Sequence, residues 1–151
     1  MLKIKVTAIP VEIRTEELIA LTDRMAQDAL EEIGQVVEAS IHTAFQGVKT
    51  GEIYPHPSGG TYQASAAGEA PAIRTGDYDA SISHSVGKTD SGFAVAIGSN
   101  MLTAGRNKYV LGALLELGSI KMGARPHLIP AVVENLYRIK QIIQAHGKAV
   151  K

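Results

Sequence analysis

The chain of 151 residues contains no cysteine. That excludes a disulfide framework and any thiolate metal site, and it fits synthesis in a cytosol. No run of about 18 apolar residues occurs, the length a membrane-spanning helix requires, so no membrane partner is expected. The first ten residues alternate apolar and polar too regularly for a signal peptide and read as a strand. No internal repeat and no second domain is visible, so residues 1–151 are read as one domain with one core.

Catalytic patterns are equally scarce. His42, His56, His84, His127 and His146 are scattered, and no two stand at the i, i+4 spacing of a helical zinc motif. His56, between two prolines, reads as a solvated loop residue. No Gly-x-Ser-x-Gly elbow exists, and Ser83-His84-Ser85 falls in an expected strand with no third group to hold a base. Val48-Lys49-Thr50-Gly51 lacks the glycines that would let backbone amides approach a phosphate. No catalytic, metal-binding or cofactor-binding residue is therefore expected. A small hydrolase built on His84 or His127 ranks last among the readings.

Net charge is absent as well, with 15 Lys/Arg against 15 Asp/Glu, but the charge is unevenly spread. Residues 1–46 hold four basic and eight acidic side chains, and residues 121–151 hold six basic and one acidic. An acidic front and a basic tail read as two helices pairing within the fold, as one subunit meeting the next, or as a small nucleic-acid-binding module using the basic C-terminal region. The first two together rank ahead of the third.

What the chain does have is one distinctive stretch. Ser58 to Gly76 reads Ser-Gly-Gly-Thr-Tyr-Gln-Ala-Ser-Ala-Ala-Gly-Glu-Ala-Pro-Ala-Ile-Arg-Thr-Gly. It holds almost no large apolar residue, so it has little surface to bury against the entropy of its own ordering. Loops longer than about 12–15 residues within a domain are usually functional or disordered. The expectation is an arm over residues 47–75, mobile in the free chain and ordered by a partner. Within it, Glu52-Ile53-Tyr54 and Thr61-Tyr62-Gln63 form a hairpin turned at Gly59-Gly60. Glu69 reads as an exposed charge or as an intersubunit ion pair with Arg74 or Arg125.

Around this arm the pattern is regular and implies an α+β fold: a small antiparallel sheet packed by a long N-terminal helix and a C-terminal helix. Leu2, Ile4 and Val6 alternate as a strand. Thr15 is a candidate N-cap, with Glu16 and Glu17 favouring the helix dipole. Leu18, Leu21, Met25, Ala29, Ile33, Val36, Val37, Ile41 and Phe45 then recur at helical spacing up to Gln46. Gly34 is the one poor helix former in that run, costing about 1 kcal/mol against Ala. A helix of that length exceeds what one core needs, so part of it is expected on a neighbouring subunit.

Thr75 reads as a cap for a short turn through Ser81. Ile82–Val86 and Phe93–Ile97 pair as antiparallel strands across a Gly87–Gly92 turn. A helix over Lys108–Leu117, apolar on most sides, is expected to be buried in its own core or against another chain, with Gly118 at its C′ position. Pro126 favours an extended Arg125, Glu116 and Arg125 pair across the turn, and Pro130 opens one final helix that ends at Gly147.

Two blocks of the sequence resemble the tail-completion, or head–tail joining, family of long-tailed bacteriophages, also described as minor tail or neck proteins. Members carry an Ala-Pro-Gly-Glu-Ala-Pro-like arm, matched by Ala64 to Ala72. A Thr-Gly-x-Leu/Tyr-x-x-Ser-Ile return follows, matched by Thr75 to Ile82. A Tyr-x-x-x-Leu-Glu-x-Gly helix end is matched by Tyr109 with Leu115-Glu116-Leu117-Gly118. An Arg-Pro-x-Leu-x-Pro-Ala turn is matched by Arg125 to Ala131. The resemblance spans roughly residues 15 to 145. Ala67 departs from a frequent proline, and Tyr109 lies farther from Leu115-Glu116 than is usual.

The resemblance implies a non-enzymatic virion protein, made in the bacterial host cytoplasm, that oligomerises as a ring at the head–tail junction. Its partners would be further copies of itself and other neck proteins, on the portal or adaptor side and on the tail-tube or terminator side. DNA would pass only as cargo through the lumen. Tyr62, Ser65, Gly68, Glu69, Pro71, Arg74, Thr75 and Gly76 would serve the assembly arm. Tyr109, Glu116, Gly118, Arg125, Pro126 and Pro130 would set the turn and its packing.

Overall fold

The computed structural model describes residues 3–6, by their backbone alone, and residues 23–148. The Thr15 cap, the Glu16, Glu17, Leu18 and Leu21 positions, the facing of Leu2, Ile4 and Val6, and the last three residues lie outside the described residues. The order is β1 (Lys3–Val6), α1 (Asp23–Gln46), β2 (Ile53–Pro55), β3 (Thr61–Gln63), α2 (Asp77–Ser81), β4 (Ser83–Thr89), β5 (Gly92–Gly98), α3 (Leu111–Leu117), α4 (Leu128–Glu134) and α5 (Leu136–Lys148). The fold is α+β.

β4 and β5 form the antiparallel pair, in register His84 with Ile97 and Val86 with Val95. β1 adds to the far edge of β5 in parallel, giving the order β1-β5-β4. Because β5 is flanked on both edges, its sequence Gly-Phe-Ala-Val-Ala-Ile-Gly carries no charge at all. β2 and β3 make a separate two-stranded hairpin with Tyr54 opposite Tyr62.

α1 is the central element. Ala26, Ala29, Leu30, Ile33, Gly34, Val37, Ile41 and Phe45 are buried along one face at three- and four-residue spacing. They meet Val95 and Ile97 of the sheet, Leu128, Ala131 and Val132 of α4, and Ile139, Ile142 and Ile143 of α5 in one core. The described part of α1 is about 36 Å long at 1.5 Å per residue. Its buried face runs from Ala26 to Phe45 on its own chain. α5 lies against α1, with His146 Nε2 3.0 Å from Glu32 Oε2.

Two helices differ from expectation. The final helix is two, parted at Asn135, whose side-chain amide donates to the carbonyl of Ala131 at 2.7 Å and ends α4 there. α3 starts at Leu111 rather than Lys108. Thr103 and Tyr109 exchange backbone contact at 2.8 Å, and Leu102 bridges to Val110, holding that stretch extended. Within its own chain, α3 does not bury its leucines. Its buried residues are Gly112 and Glu116, while Leu117 is 66% exposed.

Candidate functional site

The two blocks that carry the family resemblance, some 50 residues apart in sequence, meet at one joint. Arg125 crosses from the turn to the arm. Its Nε donates to Ser65 Oγ at 2.8 Å and its Nη2 to the Ser65 carbonyl at 3.0 Å, while Nη1 satisfies the Gly123 carbonyl at 2.9 Å. Beside it, the Gly68 amide donates to the Ala124 carbonyl at 2.8 Å. A Cβ on Gly123 would come within 2.7 Å of the Ala67 methyl. The small residues of both blocks are therefore what allows two backbones to lie against each other. Ser65 and Pro71 are buried, and Ala70 packs on the core.

Glu69 closes the same segment locally. Its carboxylate accepts from the Ala66 amide at 2.8 Å, from the Thr50 amide at 3.1 Å and from the Thr50 hydroxyl. These donors, the hydroxyl first, hold it below the usual carboxylate range. Within the chain it makes no ion pair with Arg74 or Arg125 among the described residues. At the base of the hairpin, Gly51 and Ala64 exchange a backbone bond of 2.9 Å.

The picture of an arm mobile from 47 to 75 is thus corrected for residues 64–72. That stretch is fixed on its own chain by hydrogen bonds and close backbone contact, which need little apolar area. The hairpin itself remains outermost. β2 is exposed throughout, Ile53 is 66% exposed, and a Cβ added at Gly59 or Gly60 would meet nothing within 4 Å. Its ties are light. His56 Nε2 donates to the Arg74 carbonyl at 2.5 Å, and Arg74 lies 6.0 Å from the centre of the Tyr62 ring. His56 is a loop residue, half-buried, with both ring nitrogens hydrogen-bonded, Nδ1 to Ser58 and Nε2 to the Arg74 carbonyl. Thr75 donates to Asp77 at 2.6 Å, and the cap position of α2 belongs to Gly76, at φ 86°.

On the turn side, Glu116 is not paired with Arg125. Its side chain is 1% exposed and takes the start of α4. Oε2 accepts from the amides of His127 at 2.8 Å and Leu128 at 2.9 Å, and Oε1 from that of Ile129 at 2.9 Å. A helix leaves its first amides without intrahelical partners. Here three go to one carboxylate, and the next residue, Pro130, has no amide to satisfy. Gly118 sits at φ 77°, its amide on the Leu114 carbonyl, with backbone of Met122 and Ala124 2.8 Å from any added Cβ. Pro126 is half-buried, and Tyr109 is 55% exposed.

His127 stands under this joint. Nδ1 donates to the Arg125 carbonyl at 2.9 Å, and Nε2 accepts from the Tyr78 hydroxyl at 2.7 Å. Burial pushes the imidazole below its ordinary value and the Tyr78 phenol above its own. Phe45, Tyr78 and His127 stack as one aromatic cluster. Both ring nitrogens of His127 are committed to structure, so it is not placed to serve as a base. A cleft of about 190 Å³ beside it is lined chiefly by small residues, among them Ser40, Ala44, Gly68 and Ala70.

His84 is the feature the sequence did not disclose. It lies over Gly34 between Glu31 and Glu38, and a mid-helix glycine was the one signal that something must approach α1 there. Among the described residues, no three His, Cys, Asp or Glu side chains are grouped to hold a metal ion, and no helix is long and apolar enough to cross a membrane. Among the described residues, large apolar side chains are exposed at Val48 before the hairpin, at Ile53 and Tyr54 on it and at Ile73 behind it, at Leu102 and Tyr109 ahead of α3, at Leu117 and Ile120 at its end, and at Val133, Leu136 and Tyr137 around the α4–α5 junction. Compared with family models, curated proteins and solved structures, the chain matches none of them.

Proposed function

We propose that this chain is a structural subunit of the head–tail junction of a long-tailed bacteriophage, acting by assembly with further copies and with neighbouring neck proteins rather than by catalysis. The observation that supports this reading is the joint itself. The arm block and the turn block, which carry the resemblance, are bound to each other through Ser65, Gly68, Ala124 and Arg125, and together they hold an exposed hairpin away from the core. Exposed apolar side chains on the hairpin, after α3 and at the α4–α5 junction suit a protomer that covers them with unlike surfaces of its neighbours. Of the basic tail, Arg125 is spent inside the fold, which lowers the number of cations free for phosphate.

The test is electron microscopy and sedimentation of the purified chain, together with a variant in which residues 53–63 are replaced by a Gly-Ser turn. The expected result is closed rings for the intact chain. The shortened chain should be folded, melt within a few degrees of the parent, and form no assembly. A shortened chain that still joins heads to tails removes the hairpin's role. A chain that forms no rings but binds duplex DNA with steep salt dependence supports the nucleic-acid-binding reading instead.

A further inference from the structure

The His84 ring is seated in a socket made by one face of α1. Gly34 forms the floor, where an added Cβ would stand 2.3 Å from the ring Cδ2. Glu38 and Glu31, seven residues apart and so on one helix face, form the walls. His84 Nδ1 lies 2.5 Å from Glu38 Oε2, and Nε2 lies 3.0 Å from Glu31 Oε1. The side chain is 14% exposed. The ladder continues, since Glu38 Oε1 is 3.8 Å from His42 Nε2 and His42 Nδ1 is 2.6 Å from Asp79 Oδ1 on α2.

An imidazole carries two N–H groups only as the cation. When both nitrogens face carboxylates, the neutral ring must turn a bare lone pair toward one of them. We propose that this socket is a proton-operated latch that fastens the edge strand β4 to α1 and, through Glu38, His42 and Asp79, steadies the α2 turn that follows the arm. With His84 charged, both walls are hydrogen-bonded. With it neutral, one wall is released. The groups that bear on the ring are few. Glu31 and Glu38 face it from α1. Lys88 lies farther along its own strand and is exposed, and β5 beside it has no ionisable residue. Asp79 and His42 act only through Glu38.

Burial works against the charged ring, but the hydrogen bonds to Glu38 and Glu31 outweigh it and hold His84 above its ordinary 6.5. A group raised on folding stabilises fully below its unfolded value, and that contribution is lost as pH rises through the folded value. The latch is therefore closed below 6.5 and opens as pH rises through the raised folded value.

The direct test is the NMR titration of the His84 ring in the intact chain, which needs no variant. It is paired with denaturant unfolding of wild type, His84→Gln and Gly34→Ala across pH 6 to 9. The expected result is a ring that stays charged above pH 6.5. The wild-type folding constant should drop tenfold for each unit by which the folded value exceeds 6.5, and His84→Gln should lack that drop. Gly34→Ala should expel the ring and return its titration to near 6.5. A His84 that titrates at or below 6.5 in the folded chain, or a His84→Gln variant that keeps the full wild-type slope, overturns the latch.

Discussion

Replacing Glu116 with Ala is expected to cost about 4 kcal/mol or more of folding stability, a large share of the roughly 5–15 kcal/mol available to a domain of this size. Three amides at the start of α4 lose their acceptor together. Each buried unsatisfied donor costs about 1–3 kcal/mol, and a side chain 1% exposed lies where water cannot enter to replace it. At about 2–4 °C per kcal/mol the melting temperature should fall by roughly 10 °C or more. Glu116→Gln separates the hydrogen bonds from the side-chain volume. Its carbonyl oxygen can take the Oε2 position and still serve His127 and Leu128, but its amide group would face the Ile129 donor. It should therefore fall between wild type and Ala. Denaturant unfolding of the three proteins checks this order. An Ala variant within about 1 kcal/mol of wild type would mean that α4 is not held this way.

The same carboxylate shows where the sequence stops being readable. Leu111 to Leu117 looks like a helix to be buried for its leucines, yet the residue it buries most usefully is its glutamate, because the amides that need it lie 11 to 13 residues away. The spacing of Pro126, His127 and Pro130 marks a turn and a helix start but not the source of the cap. The face of α1 was legible from Ala29, Ile33, Val37, Ile41 and Phe45, since burial follows the helical period directly. Gly34 was legible as an anomaly, but its cause sits on β4, 50 residues on. The strands β4 and β5 and the hairpin could be read from alternation and turn residues. The division between α4 and α5 could not, because it rests on one asparagine side chain competing with the helix. Residues 64–72 hold too little apolar area for their fixed course to be read from composition. Ala67, Gly51 and Gly123 instead permit close approach, and Arg125, Glu69 and Thr50 supply the bonds.

That last point yields the other large effect. Arg125→Ala should cost about 1.5–3 kcal/mol, the range for hydrogen bonds to a charged group, because Ser65 loses three contacts from one guanidinium. The damage should also be local. The Gly68 amide, bonded to the Ala124 carbonyl, and the Ala66 amide, bonded to Glu69, report directly on whether the segment stays down. Their hydrogen exchange should speed up by tenfold or more, each tenfold standing for about 1.4 kcal/mol. Amides in α1 should change only by the global loss of stability, and those of the exposed hairpin turn should exchange fast in both proteins. Arg125→Lys keeps the charge but not the planar fork that reaches both oxygens of Ser65, so it should recover only part of the protection. If Ala66 and Gly68 are as protected in Arg125→Ala as in wild type, the segment is held by contact of its small residues alone. If they open while α1 stays closed, Arg125 is what ties the arm block to the turn block. On the assembly proposed above, such an opened variant, still folded but with its hairpin base adrift, should present the hairpin to a neighbouring copy with less affinity, since the ordering that Arg125 supplies beforehand would have to be supplied on binding.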